Sequence, residues 1–173
     1  MSKSNNIFLI GPMGVGKTTI GRQLAKKLSI RFYDSDHEIE QRTGADIPLI
    51  FEIEAEEGFR KRESQVIAEL ALLENIVLST GGGAVVNPEN RQVLLDNGLI
   101  IYLKSTPEKL FKRMAEDKRR PLLQSEDRLD KIKKILVERE PVYLAMANEI
   151  IDTDKINIKQ IIQKILKLIE NKS

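Results

Sequence analysis

The chain has 173 residues in one continuous pattern of elements, so a single domain over 1–173 is expected. It holds no cysteine and one histidine, His37, which excludes a disulfide framework, a thiolate zinc centre and cysteine catalysis, and argues against a Ser-His-Asp triad. The formal net charge of +2 is too small for nucleic-acid binding by bulk charge, and the longest early apolar stretch, Ile7–Ile10, is too short for a signal core or a membrane span; a cytoplasmic enzyme with neither nucleic acid nor membrane as partner is the expectation.

Strands and helices alternate, which is the pattern of an α/β fold with a parallel sheet. Ile7–Ile10 is wholly apolar and ends at Gly11, so it reads as a buried strand. Lys17–Leu28 carries Ile20, Leu24 and Leu28 at helical spacing. Arg31–Tyr33 is a second strand running into Asp34-Ser35-Asp36, and His37–Thr43 is a short helix closed by Gly44. From Ala55 to Glu74, the residues Phe59, Val66, Ile67, Leu70 and Leu73 mark one helical stripe. Ile76–Leu78 is the third strand and leads to Gly81-Gly82-Gly83. Asn87 and Pro88 are an N-cap and a first-turn proline, and the helix they open stops near Gly98. Leu99–Leu103 is the fourth strand, and Thr106-Pro107 opens a helix to about Glu116. The polar, basic stretch Asp117–Asp127 has little helical periodicity and reads as a mobile segment. Helix returns over Leu129–Val137 and is interrupted at Pro141. Ile150-Ile151 is a short fifth strand, and Asn157–Ile169 closes the chain as a helix with an isoleucine-rich face.

Gly11-Pro12-Met13-Gly14-Val15-Gly16-Lys17-Thr18 matches the phosphate-binding pattern G-x-x-x-x-G-K-[ST], between the strand and the helix that the motif requires. The glycines let the backbone curl so that successive N–H groups point at phosphate oxygens, and the following helix adds its positive end. Lys17 can reach the β- and γ-phosphates, and the Thr18 hydroxyl can ligate Mg²⁺.

Asp34 and Asp36 follow the second strand, where open parallel sheets bind ligands. Alternation sends both to one side while the chain stays extended. They can divide labour, one near a metal and one near a substrate hydroxyl. The competing reading makes Asp36 the cap of the next helix and Asp34 a solvated turn residue. The third strand does not end in the acidic residue that many phosphate-loop proteins use for Mg²⁺, which favours Asp34 as its replacement.

Six motifs in this order carry a family resemblance: Gly11–Thr18, Asp34-Ser35-Asp36, Glu56-Glu57-Gly58-Phe59-Arg60, Gly81-Gly82-Gly83, Arg119-Arg120-Pro121-Leu122-Leu123 and Arg139-Glu140-Pro141-Val142-Tyr143. Across nearly its whole length the chain resembles shikimate kinases, small enzymes of the nucleoside-monophosphate-kinase group. The resemblance implies a three-layer α/β/α phosphate-loop fold with a five-stranded parallel sheet of order 2-3-1-4-5, a mobile lid at about 117–127 and a shikimate-binding helical region at about 36–64. It implies a monomer that transfers phosphate from ATP to shikimate, with Mg²⁺, in aromatic amino-acid biosynthesis. Asp36, Lys17 and Arg120 become the catalytic residues, with Asp36 on the reacting hydroxyl. Nucleotide contacts fall to Gly14, Val15, Gly16, Lys17, Thr18, Thr19, Arg113, Arg120 and Ile158. Asp36, Arg60, Gly81, Gly82, Gly83 and Arg139 bind shikimate, and Thr18 and Asp34 hold the metal. Guanidinium groups suit a substrate carboxylate because they grip it with paired, charge-assisted hydrogen bonds. On the same predicted helix, Glu56 precedes Arg60 by four residues and would orient it. The family often has glycine where this chain has Ala55. Taken alone, Arg60 reads first as a solvated helix residue paired with Glu56 or Glu63, and Arg139 as a charge near a helix end.

Overall fold

The strands are β1 (Ile7–Ile10), β2 (Arg31–Asp34), β3 (Ile76–Ser79), β4 (Leu99–Lys104) and β5 (Glu149–Asp152), all parallel, in the order β2-β3-β1-β4-β5. The computed structural model describes residues 5–116 and 125–172. The helices are α1 (Lys17–Leu28), α2 (Ser35–Thr43), α3 (Ile47–Ala71), α4 (Pro88–Asn97), α5 (Pro107–Glu116), α6 (Ser125–Met146) and α7 (Ile158–Lys172), with a 3₁₀ turn at Ala84–Val86.

The apolar runs follow from this architecture. A central strand of a doubly covered sheet needs apolar side chains on both faces. Phe8 and Ile10 of β1 pack with α2, α3 and α4, whereas Ile7 and Leu9 pack with α1, α5 and α7. All four residues of β1 are buried. The two clusters are the interfaces of a three-layer α/β/α structure. Among the described residues, no helix is long and apolar enough to cross a membrane.

Four features differ from the sequence reading. First, α2 begins at Ser35 rather than His37, so Asp36 lies in a helical first turn and the extended alternation assumed for Asp34 and Asp36 does not hold. Second, helix already starts at Ile47, capped by Asp46, whose carboxylate accepts from Leu49 N at 2.9 Å; Asp46 and the first-turn Pro48 were the available signal. The element then kinks at Ala55 (φ 60°, ψ −177°) before running on through Arg60. Third, Pro141 does not interrupt α6, which continues to Met146. The carbonyl that loses its partner belongs to Val137, which is 76% exposed, so water can replace the missing N–H. Fourth, helix returns by Ser125, not Leu129. Of the lid at 117–127, residues 117–124 with Arg120 lie outside the described residues.

Candidate active site

The glycine loop between β1 and α1 leaves a helix N-terminus open. Gly16 is the N-cap of α1 at φ 103°, a left-handed conformation that glycine adopts without strain, and it offers no side-chain cap. The first N–H groups of α1 are thus left for an external acceptor, and the helix dipole favours an anion there. Lys17, only 7% exposed, folds back so that Nζ donates to the carbonyls of Gly11 (2.6 Å) and Pro12 (2.8 Å). Arg113 reaches in from α5 and donates through Nη1 to the Val15 carbonyl at 2.8 Å, bracing the loop from the side. Thr18 is partly buried and Thr19 exposed. Ile158 is the first residue of α7 and 39% exposed. The segment before it follows β5, where Asp154 accepts from Ser105 Oγ (2.7 Å) and Thr106 N (2.9 Å).

Asp34 joins the phosphate loop to α2. Thr18 Oγ1 donates to Asp34 Oδ2 at 2.5 Å, and Asp34 Oδ1 accepts from Asp36 N (2.9 Å) and His37 N (3.1 Å). Asp34 is therefore the helix cap, reversing the alternative that gave the cap to Asp36. The donor set of one hydroxyl and one carboxylate suits a hard cation that keeps most of its water. His37 is exposed.

The freed Asp36 side chain turns toward the glycine loop after β3. Its Oδ1 is buried with no hydrogen-bond partner among the described residues, and its pKa is pushed up to about 6. Burial is the main cause; the charges of Asp34, Glu63 and Glu40 add to it, and Lys17 opposes. At neutral pH the carboxylate is ionised but basic enough to accept a proton.

Gly81, Gly82 and Gly83 form the floor between α2, α3 and α6. The Gly81 N–H donates to Ser35 Oγ at 3.0 Å, so the middle residue of Asp34-Ser35-Asp36 ties the floor to α2. Two arginines approach the same floor. A β-carbon on Gly83 would lie 2.5 Å from Arg60 Nη2 and 3.0 Å from Arg139 Nη2. Arg60 and Arg139, 79 positions apart in sequence, therefore converge on one point. Both also line a cleft of ≈ 310 Å³ with Glu56, Arg91, Glu138 and Val142. Two arginine side chains and an ionised Asp36 around a bare backbone floor fit a small anion that also carries hydroxyl groups.

The residues that brace this site were harder to read in sequence. Glu63 is 1% exposed and accepts from Arg60 Nη1 at 2.8 Å, whereas the expected partner Glu56 is exposed and 3.5 Å from Nη2. Burial raises the Glu63 pKa, and Arg60 opposes the rise. The signal was positional: Glu63 falls on the buried stripe of Phe59, Val66, Ile67 and Leu70, where a carboxylate has no place without a partner. Ser35, fully buried, left no comparable signal.

A sheet of this order with a Gly-rich loop after its central strand defines a phosphate-loop kinase of the nucleoside-monophosphate-kinase type. The family model described as shikimate kinase matches residues 13–170. A shikimate kinase of Legionella pneumophila (strain Corby) is 53% identical over 165 residues, covering 95% of this chain and 94% of that protein. One from Thiobacillus denitrificans is 56% identical over 153 residues, 88% of this chain and 84% of the relative. A solved structure of the shikimate kinase from Acinetobacter baumannii in complex with shikimate superposes with a TM-score of 0.91 at 46% identity, over 98% of this chain and 95% of that one. The chain belongs to the shikimate kinase family.

Proposed function

We propose that the protein transfers the terminal phosphoryl group of ATP to the 3-hydroxyl of shikimate, giving ADP and shikimate 3-phosphate. The observation that carries this reading is the convergence of Arg60 and Arg139 on the Gly81–Gly83 floor that Asp36 also faces, in a chain matched to the family over 13–170.

In this reading the loop N–H groups of Gly14–Thr19 and the Lys17 ammonium hold the phosphates. The nucleotide base lies between Arg113 and the segment ending at Ile158. Arg60 and Arg139 grip the substrate carboxylate, and the uncovered backbone of Gly81–Gly83 lets the ring approach closely. Asp36 accepts the hydroxyl proton as the oxygen attacks the γ-phosphorus. The bond from that phosphorus to the bridging oxygen breaks, and ADP leaves with the electron pair. Thr18 and Asp34 would hold Mg²⁺, whose bound form neutralises phosphate charge and orients the tail. Arg120, in the lid at 117–127, would add positive charge over the transferring group. The helical region 36–64 supplies the acceptor side, and one chain carries the complete site.

Purified protein with MgATP and shikimate, its product identified by mass, tests the reading. A product 80 mass units heavier than shikimate, in step with ADP release, is expected. ADP release with gluconate and none with shikimate would overturn it. So would tight nucleotide binding with no transfer to either acceptor.

A further inference from the structure

The motif Arg139-Glu140-Pro141-Val142-Tyr143 ends in a residue that the reaction leaves unused. Tyr143 lies one turn after Arg139 on α6, so the two side chains share a helix face. Tyr143 is fully buried, and its ring stacks on Tyr102 of β4 at a centroid distance of 4.9 Å. A phenylalanine would fill the same space, so the hydroxyl needs its own reason to be buried. That reason is the glycine floor: Tyr143 Oη donates to the Gly82 carbonyl at 2.5 Å. The Arg139 guanidinium lies over the same segment, its Nη1 3.5 Å from where a Gly82 β-carbon would sit and its Nη2 3.0 Å from the Gly83 position. Burial pushes the phenol up to about 12, opposed by the charge of Arg139 and a hydrogen bond from it, so Tyr143 stays protonated at neutral pH.

We propose that Tyr143 is a positioning residue: its hydroxyl, seated on the Gly82 carbonyl, fixes the Arg139 guanidinium over the Gly81–Gly83 floor and so sets the grip on the substrate carboxylate. The proposal rests on the functional reading above. Because the peptide unit is planar, a held Gly82 carbonyl also fixes the direction of the Gly83 N–H. One phenol thus fixes an arginine on α6 and a peptide of the floor relative to each other. Tyr102 supports the ring, and its own hydroxyl goes elsewhere, to Glu140 Oε2 at 2.9 Å.

Tyr143→Phe keeps the ring and removes one oxygen. The KM for shikimate should rise about tenfold, the size of one net hydrogen bond, while the KM for MgATP stays within about twofold. In an Arg139→Ala background the same change should move the shikimate KM less than about twofold, because the residue it acts through is gone. Tyr102→Phe, which leaves the floor untouched, should leave both constants near those of the parent. A parallel rise in both KM values, or the same factor in both backgrounds, would overturn the role. A second measurement needs no variant of Tyr143. In the ligand-free parent, arginine side-chain NMR should show slow rotation of the Arg139 guanidinium, assigned by its loss in Arg139→Ala; fast rotation would equally overturn the role. A parent that fails to phosphorylate shikimate sinks the functional reading. An active parent with additive effects sinks only the part given to Tyr143.

Discussion

Asp36 Oδ1 and Glu63 Oε2 face the same α-carbon: a β-carbon on Gly81 would stand 2.7 Å from the first and 3.0 Å from the second. Both oxygens are buried and have no hydrogen-bond partner among the described residues. Two carboxylates facing one small space repel, which adds to burial in raising Asp36 to about 6. In the proposed transfer the ionised form is the base, so kcat/KM for shikimate should climb with pH through an apparent pKa near 6 and then level. Glu63→Gln removes one negative neighbour and should move that limb to lower pH. A pH profile identical in the two proteins would separate Glu63 from the titration.

Asp36, the proposed base, costs the fold stability. Its folded pKa lies above its ordinary value of 3.8, so the folded protein holds the proton more tightly than the unfolded chain. The ionised group is therefore destabilising at pH 7, and the cost is relieved as pH falls through about 6 toward 3.8. Asp36→Asn should stabilise the protein at pH 7.5 by about 2 kcal/mol, or ~4–8 °C in Tm, and lower kcat by ~10²–10⁴. Thermal unfolding at pH 7.5 and pH 4 checks the sign, since the gain should be much smaller at the lower pH. Equal gains at both would assign the effect to packing.

Ala55 occupies a conformation that is nearly reserved for glycine (φ 60°, ψ −177°). The kink is held from outside. Arg62 clamps Glu54 with two hydrogen bonds (2.9 and 2.6 Å), and Phe51 packs on Phe59 at 4.8 Å. Ala55→Gly should relieve ~1–3 kcal/mol of strain, less the ~0.5–1 kcal/mol that glycine loses in chain entropy. A net gain of about 1 kcal/mol with unchanged KM for shikimate is expected from urea unfolding and kinetics. Destabilisation by the substitution would mean that the backbone there is not strained.

Arg60 has a structural duty beside its place at the glycine floor. Glu63, 1% exposed, leans on Arg60, so Arg60→Ala strands a buried charge and should cost ~3 kcal/mol or more. Adding Glu63→Gln should recover about half of that loss, as happens when both members of a buried pair are neutralised. Denaturant midpoints of the two single variants and the double give the cycle. Additive losses would mean that the pair does not act as a unit.

Local rules reach far into this fold. Four consecutive apolar residues ending at a glycine announce a strand buried on both faces, and β1 is that strand. The phosphate loop is legible because its pattern is contiguous: every N–H assigned to the phosphates in the proposed reading lies within one turn of Lys17. The same locality explains the misreading at Asp34 and Asp36. Strand alternation and helix capping both fit the run Asp34-Ser35-Asp36, and only the folded backbone, whose Asp36 and His37 N–H groups donate to Asp34 Oδ1 while Thr18 of α1 donates to Oδ2, shows which carboxylate is the cap.

Composition, periodicity and the glycine-lysine loop by themselves determined the layered α/β class and the strand-loop-helix that opens it, because those depend on neighbours in the chain. The meeting of Arg60 with Arg139 over Gly83, the burial of Glu63 and the seat of Tyr143 on Gly82 were decided by tertiary structure alone. Each depends on how far apart two helices stand once the sheet has set their spacing, and no local pattern carries that distance.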